Sequence, residues 1–206
     1  MAPEFLFDGP ERADTTLLLA HGAGGAMDSP RMQALTEALA QEGLRVARFE
    51  FSYMAARRQG PRRPPPKAES LKPEYQAAIA ALGVTGKLII GGKSMGGRIA
   101  SMIADEMQSA GLLCLGYPFH PVGKPEQTRT EHLERLCTPT LIVQGSRDPF
   151  GTREEVSTFA LSPAIRIAWM EDGDHDLRPR KNLSGFTIKN HLASMAREVR
   201  EWASKL

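Results

Sequence analysis

The sequence predicts an α/β fold, with a mostly parallel central sheet of about six to seven strands covered by helices on both faces and no lid domain. Three observations lead there. Short apolar runs of strand length alternate with stretches whose apolar residues recur at helical spacing. Neither an internal repeat nor a credible linker interrupts the 206 residues, so one domain over 1–206 is expected. Finally, the residues best suited to chemistry all fall just beyond strand ends, where the active groups of such sheets collect.

The elements follow in order. Thr15 to Ala20, TTLLLA, reads as a buried strand running into the glycine loop His21-Gly22-Ala23-Gly24-Gly25. Ser29-Pro30 offers a helix cap and a first-turn proline, Met32, Leu35 and Leu39 follow at helical spacing, and Gly43 closes the helix. Leu44 to Phe51 is the next strand. Ser52 to Pro73 carries Arg57, Arg58, Arg62, Arg63 and Lys67 around Pro61 and Pro64-Pro65-Pro66, so it is expected to be mostly irregular or extended. A solvated loop is the favoured reading of it. A basic rim that attracts an anionic substrate or a partner is the other.

A helix over Pro73 to Leu82 is closed by Gly83 and Gly86. Leu88-Ile89-Ile90 is a strand, and Ile99, Met102, Ile103 and Met107 mark the helix after it. Gly111 to Gly116 is a strand. About twenty residues, with a short helix near Glu131 to Leu136, separate it from the next, too few for an inserted lid of any size. Thr140 to Val143 is a strand, Arg153 to Ala160 a helix and Ile165 to Trp169 the last strand. The final helix shows Ile188, Leu192, Met195, Val199 and Trp202 as an apolar stripe.

Composition excludes some classes of function. A formal charge of +2 does not by itself argue for nucleic acid, and no apolar run approaches membrane-spanning length. Met1 to Pro10 lacks the basic start and apolar stretch of a secretory signal. Cys114 and Cys137 show no metal-ligand spacing, and reduced, buried thiols in a cytoplasmic protein are expected.

The chemistry centres on Gly92-Lys93-Ser94-Met95-Gly96, a G-x-S-x-G pattern between a strand and a helix. For its hydroxyl to stand clear of the sheet, Ser94 must occupy a strained turn, and glycine two residues either side removes the Cβ atoms that would collide there. An incidental glycine turn competes with this reading. A phosphate loop does not, because that motif needs glycine at position 87, which is lysine. A serine hydroxyl is a poor nucleophile at neutral pH and needs a base; His175, in the polar turn after the last strand, is the candidate. Asp148 would hold the imidazole in the right tautomer. Its competing reading is the first position of an ordinary Asp-Pro turn. The order Ser94, Asp148, His175 favours chemistry. Asp174 and Asp176 are badly placed to grip the ring edge-on. The oxyanion donors expected are the N–H groups of Met95 and Ala23, with Gly24 as the alternative to Ala23. His21 is expected to be structural, and His120, His132 and His191 show no supporting constellation.

On HGAGG, GKSMGG, GSRDPFG and GDHDL the chain resembles the alpha/beta hydrolases over nearly its whole length. On GYPFHPVGKPEQTRTEHL and the RRPPP loop it resembles, more narrowly, a small uncapped bacterial subfamily of dienelactone-hydrolase-like size. That subfamily is similar to the testis-expressed protein 30 group and to a subunit of a chromatin-regulating acetyltransferase complex. The resemblance implies a Ser94, His175, Asp148 hydrolase with oxyanion donors at Ala23 and Met95, and transfers no substrate.

The function expected is therefore a cytoplasmic serine hydrolase of a small ester or other activated acyl compound, working without metal or organic cofactor. Its partner is a small acyl substrate, with anionic ones favoured if the arginines face the site. Neither nucleic acid nor membrane is expected as a partner, and the oligomeric state is left open. The alternative is an interaction or scaffold protein whose triad is idle.

Overall fold

A computed structural model of the chain describes residues 3–61 and 64–206. Seven strands form one sheet: β1 (Phe5–Asp8), β2 (Thr15–Ala20), β3 (Arg45–Phe49), β4 (Lys87–Lys93), β5 (Gly111–Leu115), β6 (Thr140–Gly145) and β7 (Ile165–Met170). Their spatial order is β1-β3-β2-β4-β5-β6-β7. Every pairing is parallel except the edge pair β1·β3. The helices are α1 (Pro30–Gln41), α2 (Ser52–Gln59), α3 (Lys72–Leu82), α4 (Met95–Ser101), α5 (Arg153–Val156), α6 (Lys181–Ser184) and α7 (Ile188–Ala203).

Successive side chains of a strand point to opposite faces, so an unbroken apolar run makes sense only where both faces are covered. The two cores divide that way. Leu18 and Ala20 of β2, Leu112 and Cys114 of β5 and Ile142 of β6 pack with Tyr75, Ile99 and Ile103. Leu17, Leu19, Leu113, Leu115, Leu141 and Val143 pack on the other face with Leu35 and Leu39 of α1 and Met195, Val199 and Trp202 of α7.

From β2 the chain crosses to β3 on one side, then returns to place β4 on the other side of β2. Connections leave in opposite directions there, opening a crevice between the loops that follow β2 and β4. The glycine loop and the Ser94 turn are those two loops.

Several expectations need correcting. Residues 52–59, expected to be irregular, form α2. The first proline comes only at 61, and Glu74 of α3 accepts from the Ser52 N–H at 2.7 Å, so a tertiary partner caps what no local side chain does. Strand β1 was not expected; its few residues are too short for alternation to register. The helix expected through Met107 is regular only to Ser101 and continues as tighter turns, with Met102 and Ile103 N–H bonding three residues back. Helix α5 stops at Val156, and the segment near Glu131 is a single 3₁₀ turn, Glu131–Glu134. Ile188 is 40% exposed at the start of α7 and stands outside its buried stripe, while His191 is buried within it. Both cysteines are free, but only Cys114 is buried; Cys137 is exposed. No helix among the described residues is long and apolar enough to cross a membrane. No domain is inserted between β5 and β6, so the sheet has no lid at that point.

Candidate active site

Ser94 caps α4 with φ +52°, a region that non-glycine residues seldom occupy, so its backbone is strained in the way a nucleophile turn requires. Tight packing enforces the turn. A Cβ on Gly92 would lie 2.3 Å from the Ala20 carbonyl oxygen, and one on Gly96 2.5 Å from the same atom. Only glycine lets α4 sit this close to β2.

Three side chains from three strand ends meet here. His175 Nε2 lies 2.9 Å from Ser94 Oγ, and His175 Nδ1 lies 2.7 Å from Asp148 Oδ2. With Nδ1 against a carboxylate, the proton belongs on Nδ1 and Nε2 is left to accept from the serine hydroxyl. Asp148 is fully buried, so its charge must be matched by hydrogen bonds. Gln144 Nε2 donates to Oδ2 at 3.0 Å and the Phe150 N–H to Oδ1 at 2.9 Å. The Phe150 ring packs against the imidazole with centroids 4.4 Å apart.

The loop after β7 that carries His175 is held from several directions. Asp172, with φ +57°, accepts from the Arg180 backbone and guanidinium, and this hydrogen bonding pulls its carboxyl down to about 2. Arg31 pairs with Asp176 at 2.7 Å. Buried Lys93 donates to the His175 carbonyl at 2.8 Å and lies 3.6 Å from Asp176 Oδ1. As expected from sequence, Asp174 and Asp176 take no part in gripping the ring.

Ala23, Ser94 and Met95 line one cavity of about 440 Å³, walled in part by Pro65, Pro66 and Phe150. Among the described residues neither the Ala23 nor the Met95 N–H meets an acceptor. The glycine loop is braced from outside. Arg57 Nη1 donates to the Ala23 carbonyl at 3.0 Å and its guanidinium lies 5.0 Å from the Tyr53 ring centroid. Arg58 is committed to Asp28 and Glu50. These two arginines are therefore scaffold for the loop and not the substrate-facing rim the sequence allowed; Arg62 and Arg63 lie outside the described residues. What the Pro-rich segment does bring to the cavity is Pro65, Pro66 and Lys67.

His21 is buried, donates from Nδ1 to the Gly22 carbonyl and accepts the Phe51 N–H on Nε2. Burial pushes its pKa down, so it stays neutral and structural. A second serine–histidine pair, Ser101 and His132 at 2.8 Å, has the wrong polarity. Ser101 Oγ donates to the Arg98 carbonyl, so it accepts from His132 and offers no proton to it. A larger hollow, about 610 Å³, opens among Glu11, Arg12, Asp14 and Thr85 at the opposite ends of the strands and contains neither a serine nor a histidine. No group of three or more His, Cys, Asp or Glu among the described residues is arranged to hold a metal ion.

Sequence reasoning missed Gln144, Lys93 and Phe150, and with them Arg98 and Arg129, two arginines that line the same cavity. Lys93 and Phe150 sit at variable positions of motifs that were read, and Arg98 lies one helical turn past Ser94, a spacing that could have flagged it. Gln144 and Arg129 carried no signal of their own.

A family model described as alpha/beta hydrolase domain matches residues 13–204. Solved structures share the fold at low identity. An alpha-beta serine hydrolase homologue from Coxiella burnetii superposes with a TM-score of 0.72 at 19% identity, over 97% of this chain and 90% of that one. A dienelactone hydrolase from Anabaena variabilis gives 0.71 at 20% identity, over 98% and 97%. An a/b serine hydrolase without lid from Xanthomonas campestris gives 0.70 at 18% identity, over 97% and 89%.

Proposed function

The chain belongs to the alpha/beta hydrolase domain family, and from that premise we propose that it is a serine hydrolase of small esters or other activated acyl compounds. One observation carries the reading: an unbroken line of contacts, Ser94 Oγ to His175 Nε2 at 2.9 Å and His175 Nδ1 to Asp148 Oδ2 at 2.7 Å, beginning on a strained turn.

The chemistry follows from those atoms. Ser94 Oγ attacks the substrate carbonyl carbon while its proton passes to His175 Nε2. The imidazolium so formed is stabilised by buried Asp148. Negative charge on the carbonyl oxygen is met by the N–H groups of Met95 and Ala23, fixed donors that need no rearrangement during the reaction. The N-terminus of α4 adds its favourable potential. As the intermediate collapses, His175 returns the proton to the leaving alcohol and an acyl group stays on Ser94. Water then gives a proton to His175, attacks the acyl carbon and frees the acid, and Ser94 regains its proton.

A cavity of about 440 Å³ bounded by short loops suits short acyl groups. The free thiols of Cys114 and Cys137 suit a reducing compartment, and we place the protein in the cytoplasm. Steady-state hydrolysis of p-nitrophenyl acetate, butyrate, octanoate and palmitate tests the function. The expected result is turnover of acetate and butyrate, with a pre-steady-state burst of nitrophenol and kcat/KM falling for the longer chains. No turnover of any ester, lactone or thioester tried alongside would defeat the hydrolase reading.

A further inference from the structure

The walls of the Ser94 cavity carry Arg98, Arg129 and Lys67 against the single carboxylate of Glu69. Arg98 lies on α4 one turn past Ser94, its N–H donating to the Ser94 carbonyl, and both residues line the same cavity. Its Nη2 meets Glu69 Oε1 at 2.5 Å, while its buried Nε has no acceptor among the described residues. Arg129 is less well matched. Among the described residues its guanidinium reaches only the Pro118 carbonyl, at 3.5 Å, and no carboxylate lies within ion-pair distance. Burial and the nearby charge of Arg98 both weaken its hold on its proton. A half-buried cation beside a second cation is costly as it stands and is relieved when an anion arrives between them.

We propose that Arg129 and Arg98 bind a carboxylate carried by the substrate while its scissile carbonyl lies at Ser94. The inference rests on the hydrolase reading and narrows it to esters or lactones that bear an anionic group. A planar guanidinium matches a carboxylate with two parallel hydrogen bonds, which fixes orientation as well as charge. Glu69 then competes with the substrate for Arg98.

Two matched substrate pairs test it. Mono-p-nitrophenyl succinate against p-nitrophenyl butyrate places the charge on the acyl side; 4-acetoxybenzoate against phenyl acetate places it on the alcohol side. The expected result is a kcat/KM ratio favouring the charged member of one pair by about tenfold, the scale of a charge-assisted hydrogen bond. Raising the salt concentration should shrink that ratio in the native protein, a readout independent of any variant. Arg129→Gln should lower the ratio about tenfold, and Glu69→Gln should raise it. A merely structural role for these residues would not give opposite signs. Neutral esters turned over with no preference for the charged member in either pair overturns this inference and leaves the hydrolase reading intact. Ratios that respond to neither substitution nor salt overturn it as well. No turnover of all four esters, with no reaction of Ser94 toward a fluorophosphonate, removes the hydrolase reading and this inference with it.

Discussion

Lys93 Nζ donates a hydrogen bond to the backbone carbonyl of His175 across 2.8 Å. The residue immediately before the proposed nucleophile thus grips the residue proposed as its base, tying the end of β4 to the loop after β7. The contact does not depend on charge, because a neutral amine also donates.

Removing that tie should loosen His175 without touching the substrate cavity. Lys93→Met is expected to lower kcat about tenfold with KM little changed, since a small misplacement of a base is costly. Stability has a definite sign with pH. Burial pulls Lys93 down to about 8, although Asp176 and Asp148 resist the fall, while the unfolded chain keeps the ordinary value near 10.5. Between those values the unfolded state binds more protons, so the contribution of Lys93 to stability rises with pH. The native protein should gain about 1–2 kcal/mol on Lys93→Met between pH 7.5 and 9.5. Urea midpoints at the two pH values check it; a constant difference would mean that Lys93 does not titrate there.

Asp148 is tested by keeping its shape and removing its charge. Asp148→Asn should fold, since one amide oxygen can still accept, but the imidazole then faces a donor and is driven to the wrong tautomer. The expected loss in kcat is about 10³–10⁴-fold. Single-turnover kinetics measure it, and a loss under tenfold would place the carboxylate outside the chemistry.

Tyr75 offers a test of stability separate from activity. Its buried hydroxyl lies between β2 and β4, accepting the Gly91 N–H at 2.8 Å and reaching the carbonyls of Leu18 and Gly91 at 2.8 and 2.6 Å. Tyr75→Phe strands those groups without water, costing about 1–3 kcal/mol. Tm should fall by about 3–8 °C, with kcat/KM per folded molecule unchanged. An unaltered melting curve would show that the sheet satisfies these groups without the hydroxyl.

How much of this was legible in the chain depends on how far the governing interactions reach. Ser94 is marked by its own neighbours, because Gly92 and Gly96 answer a clash within a few residues. Asp148 and His175 are marked by their positions after strands, which periodicity locates. The apolar runs foretold a sheet covered on both faces for the same reason. Helix α2 was missed because Glu74, not a local side chain, caps it, and proline-rich sequence downstream dominated the reading. Gln144 looked like an ordinary strand residue; its role depends on Tyr117, Asp148 and Gly151 folding around it. Arg57 and Arg58 read first as part of a solvated loop and only second as a substrate-facing rim, because sequence does not reveal which carbonyls and carboxylates occupy them.

The central claim is that the hydroxyl of Ser94 is activated for nucleophilic attack, and covalent capture reads this directly. A fluorophosphonate probe is incubated with the native protein and with folded Ser94→Ala, and the adduct is located by peptide mass. The account predicts one adduct per native chain, on the peptide containing Ser94, and none on the variant. A native protein that stays unlabelled, or a variant labelled as fast as the native one, would contradict it.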